Sequence, residues 1–273
     1  MSQSGDGIFS ANSRISCESN RRVIRQVSKI VLAFSQQKTY FAAMNHVTAR
    51  APGSTSPGNA ANQASVATHI PLYSTPLSMR DLPGMDEVNR DITARLVSES
   101  VSIPSVHRSN VGGWHSQPDL ALRTEPSFRT LIQHIVTGVR EMVDGLARER
   151  GQDMPPMRMG AQAWAMVMRN GDYTIPHDHA DAHWSTVYYP DAGDANEAAH
   201  PDSGLLALID PRHGGRPMPG LDLVGATFTA RAATGRLLVF PGWLYHYVNA
   251  YRGQRPRVTV SCNVTFELAP PTR

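Results

Sequence analysis

The chain has 273 residues, 41% of them hydrophobic and 18% charged, with a formal net charge of +3. That length supports one sizeable core with an attached extension. No run of about five Lys or Arg occurs, which argues against a nucleic-acid surface, and no apolar run approaches the ~18–20 residues of a membrane span.

Residues 1–66 read as a flexible, low-complexity N-terminal extension. Ala51–Ser65 (APGSTSPGNAANQAS) is too small and polar to bury much surface. Upstream, Val23, Val27, Ile30, Val31 and Phe34 share one helical face among Arg21, Arg22, Arg25 and Lys29. That spacing allows a basic amphipathic helix, while the surrounding composition favours a solvated extension.

From residue 67 the pattern is that of an ordered domain, taken to run to 273. Ile70, Leu72 and Leu77 suggest an entering strand interrupted by Pro71 and Pro76. Met85–Ser98 reads as a helix, with Val88, Ile92 and Leu96 at helical spacing. Ser109–Leu120 (SNVGGWHSQPDL) is too rich in Gly, Asn and Pro to be regular. Phe128, Leu131, Ile135, Val139, Met142 and Leu146 then mark a long amphipathic helix, with Pro126 at its start and Gly151 just past its end.

The period then changes from helical to alternating. Gln162, Trp164, Met166 and Met168 alternate with Ala163, Ala165, Val167 and Arg169. Short strands are predicted at Trp184–Tyr189, Leu205–Ile209, Gly235–Phe240 and Arg257–Phe266. Helices followed by many short strands predict an α+β, mainly β fold: a barrel or sandwich with flanking N-terminal helices.

The stretch PHDHADAH, Pro176–His183, concentrates possible metal ligands in a chain with 11 histidines. A strand sends residues i and i+2 to one face. Either His177 with His179, or His179 with Asp181, can therefore offer two donors to one ion. His246 is the candidate third donor, arriving after a strand at Leu237–Phe240 and a Pro-Gly turn. Three such donors leave positions of an octahedral ion open. Arg257 and Thr259 share a strand face and are suited to clamping a carboxylate. A metal triad with a carboxylate clamp describes a site for a chelating keto acid. Taken singly, a histidine is more often a hydrogen-bonded core or surface residue, and His107, His115, His134, His183, His200 and His213 keep that reading. Arg212 is either a substrate contact or the ion-pair partner of Asp210.

PHDHADAHWSTVYYPDAGD resembles the H-x-H, W-S-G-V-Y-Y, D-x-G block of 2-oxoglutarate/Fe(II)-dependent oxygenases. SGLLALIDPR is similar to that family's G-x-L-x-x-x-D-P-R segment. GRLLVFPGWLYHYVNAYRGQRPRVTVSCNV is similar to its F-P-(S/G)-W-L-x-H and R-(I/V)-(S/T)-(V/I)-S-F-N ending, and SVHRSNVGGWHSQPDL to its upstream loop. The resemblance covers residues 67–268. It implies a distorted double-stranded β-helix, a jelly-roll or cupin-like barrel. It implies Fe(II) at His177, His179 and His246, with Asp181 falling where the family varies. It places the far carboxylate of 2-oxoglutarate at Arg257 and Thr259, with Tyr188, Tyr189, Trp184 and Asn263 lining or supporting the pocket.

The implied activity is oxidation of a small-molecule substrate by O2, in the expected case hydroxylation, with release of succinate and CO2. Neither nucleic acid nor a membrane is an expected partner, and a homo-oligomer is compatible with the sequence. Two distant cysteines, Cys17 and Cys262, and no recognisable leader fit a cytoplasmic setting. Thr186 stands where the family usually has Gly, and Cys262 where it usually has Phe. Three imidazoles in place of two histidines and a carboxylate keep open a metal dioxygenase that does not use 2-oxoglutarate, while Asp181 with His179 and His246 would restore the usual triad; a non-catalytic metal- or ligand-binding barrel is the separate alternative. The polar loops 190–203 and 213–234 do not reveal the substrate.

Overall fold

The structure is a computed structural model that describes residues 73–212, 219 and 227–270. The expected extension at 1–66, with its amphipathic segment and Cys17, lies outside the described residues, as do Ile70, Leu72 and His213.

Strand β1 (Ser78–Asp81) is followed by helix α1 (Asp86–Ser102). The helix runs beyond the predicted Ser98 and stops at Ile103, which is extended. The residue before a proline is pushed out of the helical region, and Pro104 follows. The predicted irregular stretch holds two short strands, β2 (Asn110–Val111) and β3 (Trp114–His115). Gly112 and Gly113 turn the chain between them at φ 67° and 59°, a region that favours glycine. This glycine pair is what makes the stretch look structureless in sequence. Helix α2 (Pro126–Glu149) carries proline in its first turn, as predicted.

Eight strands complete the chain: β4 (Met157–Met168), β5 (Tyr173–Thr174), β6 (Trp184–Asp191), β7 (Leu206–Ile209), β8 (Thr227–Ala230), β9 (Arg236–Pro241), β10 (His246–Val248) and β11 (Arg257–Leu268). Six strands form one sheet in the order β1-β9-β6-β11-β4-β3, three form a second in the order β10-β7-β8, and β2 pairs with β5. All ladders are antiparallel. An isolated bridge between His177 and His246 ties the β2-β5 ribbon to the smaller sheet.

Alternation along the strands sorts side chains into two cores. Ala163, Ala165 and Val167 of β4 and Val258, Val260 and Cys262 of β11 face the helices, against Ile92, Leu96, Leu131 and Ile135. Tyr189, Leu238 and Phe240 face the other way, against Leu206, Leu208 and Ala230 of the smaller sheet. Two antiparallel sheets enclosing their own core, with helices packed on the larger one, make the double-stranded β-helix that the family resemblance implies. Cys262 is buried and fills volume on the helix side, and burial raises its thiol pKa to about 12. Among the described residues no helix is long and apolar enough to cross a membrane.

Candidate metal centre

The ring centroids of His177, His179 and His246 lie 5.1, 4.4 and 5.2 Å apart in the pairs 177–179, 177–246 and 179–246. One nitrogen from each ring falls within 4.8 Å of the other two. The route to this cluster differs from the expected strand face. His177 is a single bridge residue paired with the first residue of β10, and His179 lies beyond any strand. Backbone hydrogen bonds place it instead: His179 N–H donates to the Gly242 carbonyl at 2.8 Å, and Gly242 N–H donates to His183 O at 3.0 Å. His246 is fixed by the mutual bonds His177 N–H to His246 O (3.0 Å) and His246 N–H to His177 O (2.9 Å).

The rings are oriented by carbonyls. Nδ1 of His177 lies 2.8 Å from Ile175 O, and Nδ1 of His246 lies 2.8 Å from Leu244 O. A carbonyl only accepts, so both Nδ1 atoms carry the ring proton and both Nε2 atoms present a lone pair. Burial holds all three imidazoles neutral. It lowers His177, brings His179 down to about 4 with help from the neighbouring His177, and brings His246 down to about 3. Neutral imidazole is the form that binds a metal. Asp181 is exposed and stands outside this cluster. Asp178 borders the cavity, but its carboxylate accepts the Ala180 N–H.

The triad opens on a cavity of about 480 Å³ between the sheets, a size suited to small ligands. The inner face of β11 contributes Arg257, Thr259 and Ser261, opposite Met168, Met166 and Trp164 of β4. Arg257 is 1% exposed. Its Nη1 reaches only the Met168 sulfur at 3.1 Å, and Nε and Nη2 have no hydrogen-bond partner among the described residues. The guanidinium carbon sits 5.0 Å from the Tyr189 ring centroid. The nearby tyrosine favours the charged guanidinium, while its own hydroxyl has no hydrogen-bond partner among the described residues. Burial lowers the Arg257 pKa, yet a guanidinium stays charged in proteins. A buried cation with two idle donor atoms is costly unless an anion completes it. The donor set therefore fits both implied groups: three imidazole nitrogens for a ferrous ion, and an orphaned guanidinium for the carboxylate of a keto acid.

Three expected pocket residues are placed elsewhere, among them Trp184, which packs half-buried against the helix-side core. Tyr188 pairs with Val260 and points to the helix side, where its hydroxyl donates to Asn89 Oδ1 at 2.7 Å. The register of β6 shifts against β11 between Val258 and Val260, and it is Tyr189 that reaches Arg257. Asn263 lies on the strand face of Arg257 but six positions further along β11, where its side chain accepts from Ser185 Oγ at 2.8 Å. Arg212 makes a two-pronged ion pair with Asp210, at 2.9 and 2.7 Å, on the surface. His183 is exposed, and its Nδ1 accepts the Phe266 N–H.

Among the cavity residues given no site role from the sequence, His115 and Ser109 stand next to the triad. His115 is 6% exposed, stacks on Trp164 and donates Nδ1–H to Ser116 O at 2.7 Å. Ser109 touches His177. Both lie on the stretch SVHRSNVGGWHSQPDL, whose likeness to the family's upstream loop was the available signal.

Residues 162–263 match the family model described as "Putative 2OG-Fe(II) oxygenase", which agrees with the resemblance read from the sequence. Among solved structures the chain is similar to a Pseudomonas putida prolyl-4-hydroxylase, at 14% identity over 73% of this chain and 96% of that one, with a TM-score of 0.46. It is also similar to a Trichoplax adhaerens prolyl hydroxylase in complex with a hypoxia inducible factor peptide fragment (13%, 69% and 83%, TM-score 0.46). A third is HygX from Streptomyces hygroscopicus with nickel and 2-oxoglutarate bound (11%, 70% and 83%, TM-score 0.46). No curated protein matches the chain.

Proposed function

We propose that the unit 67–273, of which residues 162–263 match the family model described as a 2OG-Fe(II) oxygenase, hydroxylates a small-molecule substrate, consuming O2 and 2-oxoglutarate and releasing succinate and CO2. His177, His179 and His246 hold the iron, and Arg257 with Thr259 holds the far carboxylate of the keto acid. The single observation that carries this reading is the buried, uncompensated Arg257 in the same cavity as the imidazole triad.

When bound, the iron and keto acid would supply the electrons that activate oxygen, which is the oxidant. The chain's own residues do the positioning. The Ile175 and Leu244 carbonyls fix two imidazoles so that their lone pairs converge. Arg257 orients the acid from the deep end of the cavity, where Met168, Tyr189 and Val248 exclude water. Trp164 and His115 form a flat wall toward the triad, the Trp164 ring lying 5.2 Å from that of His179. That wall would hold the substrate near the metal.

The three-imidazole donor set is the observation that favours a dioxygenase without 2-oxoglutarate. Such an enzyme has no use for a buried guanidinium with idle donors, so the keto-acid reading is preferred. Anaerobic addition of Fe(II) and 2-oxoglutarate is expected to produce the visible charge-transfer band of that chelate. His177→Ala should abolish it and Asp181→Ala should leave it in place. A band that survives His177→Ala, or none in the wild type, would remove the assignment.

A further inference from the structure

The hydroxyl of Ser109 lies 3.2 Å from Nε2 of His177. Because Nδ1 of that ring donates to the Ile175 carbonyl, Nε2 holds the lone pair and the serine O–H is the donor. A metal needs that same lone pair, so the metal and the hydroxyl compete for one acceptor. Ser109 cannot simply swing away. Its carbonyl accepts the Ile175 N–H at 2.9 Å, and the next two residues pair with β5, Asn110 opposite Thr174 and Val111 opposite Tyr173. The serine backbone is thus fastened to the segment that carries His177, and only χ1 is free to turn.

Once a metal takes Nε2, a half-buried hydroxyl is left beside the coordination sphere without its acceptor, which is unfavourable. A metal-bound water is a strongly polarised donor and accepts poorly. An anionic oxygen accepts well.

We propose that Ser109 is a fourth protein group of the metal centre, a positioning residue whose hydroxyl holds His177 Nε2 before the metal arrives and an anionic oxygen of the metal-bound keto acid afterwards. It thereby couples the two loading steps, weakening the hold on the metal alone and strengthening the hold of the loaded protein on the keto acid. This rests on the metal and keto-acid assignment above.

The test uses Co(II) and 2-oxoglutarate with the full chain. Equilibrium dialysis gives the affinity for Co(II) alone, and calorimetry gives the affinity of the Co(II)-loaded protein for 2-oxoglutarate. Ser109→Ala is expected to bind Co(II) more tightly and 2-oxoglutarate more weakly, each by roughly threefold to tenfold. Ser109→Thr, which restores a hydroxyl, should track the wild type. A serine that merely supports its loop would move both affinities the same way. Same-direction shifts, shifts below about twofold, or a threonine variant that behaves like alanine would overturn the proposal. If the wild type still binds Co(II) and His246→Ala does not, the metal assignment survives that failure. A wild type that binds no Co(II) would remove both.

Discussion

Arg257 is where residue-level energetics and function meet. A charge that is 1% exposed, with two nitrogens unpartnered among the described residues, does nothing for the stability of the ligand-free protein, and the proposed function gives it an anion to recognise. Arg257→Met keeps much of the volume and suits the sulfur-rich, aromatic surroundings of Met168 and Tyr189. The variant is expected to be more stable than the wild type without ligand, by about 1 kcal/mol or more in denaturant unfolding. Its affinity for 2-oxoglutarate should fall about 30-fold or more. A variant that binds the acid normally would take Arg257 out of the site. The residue types were legible in the sequence, since Arg257 and Thr259 share a strand parity. Which of Tyr188 and Tyr189 faces the guanidinium was not, because both are aromatic and only the pairing of Tyr188 with Val260 fixes which parity of β6 turns to the helices.

At the scale of elements, the metal centre is built on a turn clamped between two strand ends. Gly242, just after β9, exchanges hydrogen bonds with the His179–His183 segment. A Cβ there would stand 2.7 Å from His179 O and would also run into the Ala182 carbonyl, both of them backbone atoms. Gly242→Ala must therefore push the His179 turn away from His246. The expected result is a loss of metal affinity of about tenfold or more with the sheets intact, since displacing a ligand's support costs on this order. Metal titration beside a circular dichroism spectrum checks it, and unchanged affinity would mean the turn is held elsewhere. The sequence pattern H-x-H suggested a strand face. The spacing brought the right residues forward for a different reason, because His177 is held by β10 and His179 by the turn after β9.

For the whole molecule, the centre lies where the β2-β5 ribbon meets the smaller sheet, so folding itself holds the imidazoles neutral. In the folded chain His179 titrates near about 4 and His246 near about 3, against an ordinary value of 6.5. Below that ordinary value the unfolded chain takes up protons that the folded chain refuses. The contribution is therefore complete above 6.5 and is lost as pH falls toward the folded values. The metal-free protein should melt at a lower temperature at about pH 5 than at about pH 7.5, and His246→Asn should flatten that dependence. A melting temperature unchanged over this range would show that the rings are accessible to protons. The sequence by itself determined the class of fold, the two helices, most strands and the three histidines, because periodicity and residue chemistry are local properties. Only the tertiary structure decided that these rings converge, that Arg257 is left without a counter-charge, that Ser109 and His115 join them, and that Tyr189 rather than Tyr188 faces the guanidinium. Those facts follow from which strand ends meet across two sheets, and no local pattern encodes a distance between segments so far apart along the chain.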